Sequence, residues 1–341
     1  MCFVCLVLAF SFSACADNAS ISSPSAKVEF FAMNTLMSIE VRGAEAEAAV
    51  AAGRDEVYRL ERLLSRTDPK SEVSAINTAA GSEWTEVSEE TFSLIQTALL
   101  YSEETDGAFD ITIAPVMDLW GFSSGEHRVP DDAEIGSVLE RIGYEHLLLD
   151  ETGIRVKLEN PGMSMDLGAV AKGYAGDRVK EIIKQFDFET ALINLGGNVT
   201  VIGRKPNGDL LRVAITDPEN RQQYLGVLGS EDTHVITSGG YERFFEQDGK
   251  VYIHIMDPET ARPAQSDLLS VSVIDSNGVR SDILSTALFV MGREEAIRYW
   301  SGHRDLGLVM AKVDGEVLVS KNLLGTFRVT EGKSVTYFDG E

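Results

Sequence analysis

The chain has 341 residues, 44% of them hydrophobic and 25% charged, which suits a folded globular protein and excludes disorder for the bulk of it. Its 54 acidic and 30 basic residues leave a formal net charge of −24, a field that repels phosphate backbones and excludes nucleic acid as a partner. An acidic protein that binds an anionic nucleotide must neutralise it locally, most simply with a divalent cation; an acidic surface also serves solubility alone.

All three cysteines, Cys2, Cys5 and Cys15, lie at the start of the chain, so the body has no disulfide and no Cys-based metal site. Residues 3–12 (FVCLVLAFSF) are almost wholly apolar, too short a run to span a bilayer but right for a signal-peptide core. Phe12-Ser13-Ala14-Cys15 resembles a lipobox, in which the Cys is lipidated and the preceding residues are removed. Phe12 stands where Leu is usual, and no Lys or Arg precedes the apolar run, which implies a start codon upstream of Met1. The expectation is a lipoprotein signal peptide over 1–15, a Ser-rich tether over 16–27 and one domain over 28–341. The body is then extracytoplasmic, on the periplasmic side, and held to the membrane through Cys15. A plain cleaved signal with an incidental Cys15 would export it as well.

From Val28 the chain alternates strands and helices. Residues 30–41 (FFAMNTLMSIEV) predict two short strands around a turn at Asn34. Val50, Val57, Leu60 and Leu64 recur at helical spacing and predict a helix over 45–64. A second is expected over 88–104 with Ser88 as N-cap, and a third over 131–142 after Pro130. A hairpin over 146–150 and 153–159 precedes a helix over 168–185. The second half is strand-rich, with turn signals at Asn207-Gly208, Asp248-Gly249, Asn277-Gly278 and Asp314-Gly315, and one further helix over 282–291. Consecutive hairpins favour antiparallel pairing, so the fold class read here is α+β: a single compact domain of mixed, largely antiparallel sheet with flanking helices.

The familiar nucleotide fingerprints are absent: there is neither G-x-G-x-x-G after a strand nor G-x-x-x-x-G-K-[ST]. Gly196-Gly197-Asn198 is the nearest Gly cluster, and such a pair is usually a tight turn. In the 281–292 helix, Asp282 and Thr286 are four apart and share a face. A carboxylate and a hydroxyl so placed can share a hard cation such as Mg²⁺; equally, Asp282 in a first turn would favour the helix dipole and Thr286 be merely polar. Asp166 through Ala175 puts glycines and Lys172 at a helix start, which suits a phosphate or, as well, close helix packing. His254 ends a strand beside the turn at Asp257-Pro258 and is a candidate general base.

Together, Met33-Asn34-Thr35, Ser65 through Pro69 with Ser71 and Asn77, Gly107-Ala108-Phe109-Asp110 with Pro115, Asp166 through Ala175, Asn194 through Gly197, Thr237-Ser238-Gly239, His254 through Pro258 and Asp282 through Gly292 resemble the ApbE family of FAD:protein FMN transferases. The likeness spans about residues 29–330. It implies FAD contacts from Met33, Thr67, Ala108, Phe109, Asp110, Asp166, Lys172, Ser238, Gly239 and Met256. It implies Mg²⁺ at Asp282 and Thr286, with Ser285 adjacent and the Ala169 carbonyl nearby, and chemistry at Asp282 and His254. Three positions depart from the pattern: Asn34 replaces a Gly, Arg66-Thr67 stand where many members carry a flavin-stacking aromatic, and Lys172 stands where some have Glu. The resemblance further implies that FMN passes from FAD to a Thr of an acceptor flavoprotein, such as a subunit of an Rnf- or Nqr-type complex, with release of AMP. A Mg²⁺-dependent FAD pyrophosphatase and a non-catalytic flavin-binding lipoprotein are the competing readings.

Overall fold

The computed structural model describes residues 23–340, so Cys15, the signal-peptide reading and most of the tether lie outside the described residues. Nine strands form one sheet: β1 (Ser25–Ala32), β2 (Thr35–Arg42), β3 (Thr190–Leu195), β4 (Asn198–Gly203), β5 (Thr233–Gly239), β6 (Leu268–Asp275), β7 (Gly307–Lys312), β8 (Val317–Ser320) and β9 (Val335–Phe338). Their order in the sheet is their order in the chain. Each pairs antiparallel with the next, except β8 and β9, which run parallel. The largely antiparallel α+β fold expected from the hairpin signals is the fold observed.

Eight α-helices lie among the described residues: α1 (Ala46–Leu64), α2 (Glu72–Thr78), α3 (Glu89–Glu104), α4 (Ala114–Leu119), α5 (Asp132–Leu139), α6 (Ala171–Ile183), α7 (Gly278–Met291) and α8 (Arg293–Gly302). Successive strand residues point to opposite faces, and each face has its own core. On one face Ile39, Ile193, Val271 and Val273 pack beneath α1, α6, α7 and α8. On the other, Val201, Val235, Ile274 and Val309 meet a three-stranded sheet of Leu211–Thr216, Tyr224–Ser230 and Phe327–Val329. None of the helices among the described residues is long and apolar enough to cross a membrane.

Local chemistry accounts for several boundaries. Met33 (φ 47°) and Asn34 (φ 64°) make the left-handed turn between β1 and β2, and Asn tolerates that region better than most residues. Ser88 caps α3 by accepting from Thr91 N at 3.3 Å, and Asp131 caps α5 in a capping box with Glu134. Asp248 (φ 53°) and Gly249 (φ 72°) close a separate hairpin of Phe244–Gln247 and Lys250–Ile253.

Three expectations change. β1 begins at Ser25, inside the span read as tether, because Ser25–Lys27 pair with Glu40–Arg42. Asn277-Gly278 is not a hairpin turn: the Asn277 side chain accepts from Arg280 N at 2.8 Å and caps α7, which starts at Gly278, so Asp282 lies a full turn inside the helix and not in its first turn. The turn expected at Asn207-Gly208 does form, with Gly208 N donating to Lys205 O at 2.8 Å, and it leads from β4 into a strand of the other sheet. Helices α2, α4 and α8 were not expected; α8 restarts at Gly292 (φ 80°), where the periodic pattern stops.

Helices α6 and α7 touch at Gly173 and Gly278. A Cβ on Gly173 would lie 2.1 Å from the Gly278 carbonyl oxygen and 2.6 Å from Asp282 Cβ. Close packing, one of the two readings of the Asp166–Ala175 block, is therefore what Gly173 provides. Gly173→Ala is expected to destabilise the fold by about 1–3 kcal/mol, since backbone cannot yield as a flexible side chain can. Urea unfolding against wild type checks this, and an unchanged midpoint would show that the two helices part freely.

Candidate functional site

The first corner of the site lies where α6, α7 and β5 meet. The Asp282 carboxylate is buried; its Oδ2 accepts from Gly173 N at 2.8 Å and its Oδ1 from Asn198 Nδ2 at 2.9 Å. One turn on, Ser238 Oγ from β5 lies 2.8 Å from Ser285 Oγ and 3.0 Å from Thr286 Oγ1. Ser285 Oγ also donates to the Asp282 carbonyl at 2.9 Å. Asp282, Ser285, Thr286 and Ser238 thus form one cluster of oxygen donors. Gly239 follows on β5, where a Cβ would meet the Tyr241 ring at 2.4 Å.

The start of α6 is already occupied. Ala171 N donates to Leu167 O at 2.8 Å, and Gly173 N is taken by Asp282. The phosphate reading of this helix terminus therefore loses two amides, and Lys172, whose Nζ donates to Gly168 O at 3.2 Å, remains as its cation. Ala169 is half-buried in the turn before the helix.

Asp166 and Asp110 belong to two segments laid side by side. Asp166 N donates to Ile111 O at 2.8 Å, and Ile113 bridges Ser164 in parallel. Asp110 is buried at a turn entered through Gly107 (φ 77°), and its Oδ1 accepts from Thr112 N at 2.7 Å. Burial pushes its carboxyl up to about 6 against the Thr112 and Tyr144 amides that favour the anion. Ala108 is half-buried beside it. Phe109 is 2% exposed and sits in the main hydrophobic core, so its side chain is a packing element.

Arg66 holds this region together. Its guanidinium grips both oxygens of Asp118, at 2.8 and 2.7 Å, and reaches Ser123 Oγ at 3.0 Å and Asp166 Oδ2 at 3.5 Å. These bonds lie in the plane of the guanidinium and fix its orientation. Thr67 is exposed, with its amide and hydroxyl turned toward Ser65 Oγ at 3.2 Å, and makes no hydrogen bond to the other candidates among the described residues. Met33 N donates to Glu61 Oε1 at 2.6 Å, which fixes the β1–β2 turn against α1.

His254 closes the site from the other insertion. Its Nδ1 lies 3.0 Å from the Arg243 carbonyl, which accepts only from Nδ1–H and so leaves the lone pair on Nε2. Burial, then the Arg243 charge and the Lys172 charge, push its pKa down to about 4, so the ring is neutral at physiological pH. Phe122 meets the ring edge-on at 6.4 Å. Met256 is buried among Trp120, Phe122 and Ala261, a core position like that of Phe109. A cavity of about 490 Å³ opens nearby, lined by Asn34, Phe122, Arg221, Tyr241, Arg243 and Phe244 among others.

Asn198, Asp118 as the partner of Arg66, and Arg243 escaped sequence reasoning as parts of this site. Asn198 stands 84 positions from Asp282, and nothing local marks the pair. Among the described residues no group of three His, Asp or Glu side chains could hold a metal. The donors that suit one are instead a single carboxylate with hydroxyls, the hard-oxygen chemistry that Mg²⁺ takes when it keeps several waters.

A sequence profile described as the ApbE family matches residues 33–310. The FAD:protein FMN transferase of Klebsiella pneumoniae (strain 342) is 39% identical over 264 residues, spanning 77% of this chain and 82% of that protein. The protein of the same name from Treponema pallidum (strain Nichols) is 32% identical over 323 residues, 89% of each. The crystal structure of an ApbE protein from Thermotoga maritima aligns with a TM-score of 0.84 at 34% identity, covering 89% of this chain and 100% of that one. The Pseudomonas stutzeri flavinyl transferase ApbE, in its apo form, aligns with a TM-score of 0.77 at 26% identity, covering 91% and 96%.

The raised Asp110 carboxyl has a stability signature. Between its ordinary value of 3.8 and about 6 the folded state keeps a proton that the unfolded chain gives up, so stability falls as pH rises through that window. Asp110→Asn keeps an oxygen for the Thr112 amide and removes the buried charge. It is expected to stabilise the protein at pH 8 by up to about 3 kcal/mol and to give no gain at pH 3. Urea titrations at the two pH values check this; an equal effect at both would dissociate it from the carboxyl.

Proposed function

The chain belongs to the ApbE family and is a transferase, and we propose that it moves the FMN half of FAD onto a threonine hydroxyl of an acceptor protein in a Mg²⁺-dependent reaction that releases AMP. The observation that carries this reading is the oxygen cluster of Asp282, Ser285, Thr286 and Ser238 beside the Lys172 turn. Asp282 and Thr286 would hold the cation, with Ser285 and the Ala169 carbonyl beside them. Mg²⁺ bound there supplies neutralisation of the pyrophosphate and makes AMP a better leaving group.

The protein's own groups account for the rest. The threonine oxygen bonds to the phosphorus of the FMN half, and the bond from that phosphorus to the bridging oxygen breaks, its electron pair leaving with AMP. The hydroxyl proton passes to Nε2 of His254, whose lone pair the Arg243 carbonyl keeps available. Lys172 and Arg243 supply positive charge for the phosphates in a chain of net charge −24. We further propose that the acceptors are subunits of Rnf- or Nqr-type complexes and that Cys15 carries the lipid that holds the enzyme on the extracytoplasmic side, in reach of them.

Thr286→Val keeps the side-chain volume and removes one proposed ligand. It should lower FMN transfer by roughly tenfold or more, with partial recovery at raised Mg²⁺, and leave the melting temperature nearly unchanged. Asp282→Ala is a poorer test, because it also leaves the Gly173 amide and the Asn198 amide nitrogen buried and unpaired. Full wild-type transfer in the presence of EDTA would end the metal reading. For the anchor, Cys15→Ala should move the protein from the detergent phase to the soluble fraction or stall its processing; unchanged, detergent-extractable membrane association would refute lipidation.

A further inference from the structure

The hairpin that ends in His254 is a sheet of its own, with an unused edge. Lys250–Ile253 pairs only with Phe244–Gln247, Phe244 opposite Ile253 and Gln247 opposite Lys250. His254 N donates to Arg243 O at 3.0 Å, which makes that pair a bonded one. Bonded and non-bonded pairs alternate along an antiparallel ladder, so Tyr252 and Lys250 also bond inward. Val251 and Ile253 then turn their N–H and C=O groups outward, and among the described residues these four groups meet no partner. Val251 is 59% exposed, while Ile253 is half-buried against the neighbouring core.

What lies beyond the edge is a groove of about 410 Å³, with Val251 and Ile253 on one wall, Arg262, Pro263 and Gln265 on the other, and Trp120 beside them. We propose that the acceptor polypeptide docks by adding an extended strand to the free edge of Lys250–Ile253, in this groove, and so carries its threonine to His254. The proposal rests on the transferase reading above. Main-chain hydrogen bonds to Val251 and Ile253 supply affinity of a kind that any extended segment can make, and side-chain contacts supply selectivity. Lys250 has no carboxylate partner among the described ion pairs. It stands four residues before His254, about 13 Å along a strand. An acidic residue about four positions from the threonine therefore complements the groove.

The test uses an Rnf-type subunit domain as acceptor, read by flavin fluorescence on denaturing gels, and its threonine→valine variant for exchange measurements. Val251→Pro removes an outward amide and no ladder bond, and Lys250→Glu reverses the charge at the far end. Each should raise KM for the acceptor by roughly tenfold while the Kd for FAD and the rate at saturating acceptor stay near wild type. In the wild-type enzyme, hydrogen exchange at the Val251 and Ile253 amides should slow when the unreactive acceptor is added. Unchanged KM in both variants with no amide protection overturns the proposal. So does protection already present without acceptor, which would mean that another segment of this chain or a second copy covers the edge. If the wild-type enzyme places no FMN on the acceptor although the amides are protected, the transferase reading fails while the docking stands.

Discussion

Two helices exchange carboxylates, and the site hangs on that exchange. Asp282 of α7 accepts the Gly173 amide in the first turn of α6, while Asp177 of α6 accepts the Gly278 and Val279 amides in the first turn of α7, at 2.9 and 3.0 Å. Each carboxylate meets the positive end of the other helix's dipole and satisfies donors that would otherwise be orphaned. Burying a charge is costly unless it is paired or hydrogen-bonded, and here each anion is bonded by backbone that cannot swing away. The mutual contact of Gly173 and Gly278 is the steric condition for it. Buried His234 completes the arrangement from β5, with Nε2 2.9 Å from Asp177 and Nδ1 2.8 Å from the Thr200 hydroxyl.

This lock sets what the chemistry has to work with. Because Asp282 spends one acceptor site of each oxygen on structure, its remaining lone pairs are held in a fixed direction, with the Ser285 and Thr286 hydroxyls on the same helix and Ser238 on the adjoining strand. A sheet whose strands follow chain order gives a rigid floor, and the long excursions between its strands carry the variable parts. The excursion between β2 and β3 brings Asp110, Asp166 and Lys172; the one between β5 and β6 brings Arg243, His254 and Met256. The first excursion leaves and returns beside Gly203 and Thr233 and the second at the opposite end of the sheet, beside Gly239 and Ser270, so the candidate site draws on insertions from both ends.

Features whose cause lies within a few residues were readable in the sequence. Ser88 and Asp131 cap helices because the cap chemistry is local, and Asp248-Gly249 closes a hairpin because both residues accept a positive φ. The spacing of Asp282 and Thr286 on one helix was legible for the same reason. The partners of Asp282 were not, since Gly173 and Asn198 come from 109 and 84 positions away. Asn277-Gly278 misled because an Asn that starts a turn and an Asn that caps a helix make the same first hydrogen bond. A distant carboxylate decides between them: Asp177 of α6 holds the helix start. Phe109 and Met256 sit in segments that carry the family resemblance, yet both side chains are core. A segment can match a binding pattern through its backbone while its apolar side chain packs inward.

The cations near His254 tie binding to reactivity. Lys172 and Arg243 have no carboxylate partner among the described ion pairs, although the chain carries 54 acidic residues. Arg243 instead donates to the Phe122 carbonyl at 2.7 Å, and Lys172 to the Gly168 carbonyl. Positive charge without a carboxylate partner beside the candidate base is available to an anion. The same two charges add to burial in keeping His254 neutral. On the reading proposed above, a phosphate beside them would offset their repulsion of an imidazolium and make the imidazole more basic. Before then its low affinity for protons keeps Nε2 unprotonated and ready. Anion binding and base strength would then be coupled through two side chains, without any movement of the ring that the Arg243 carbonyl holds.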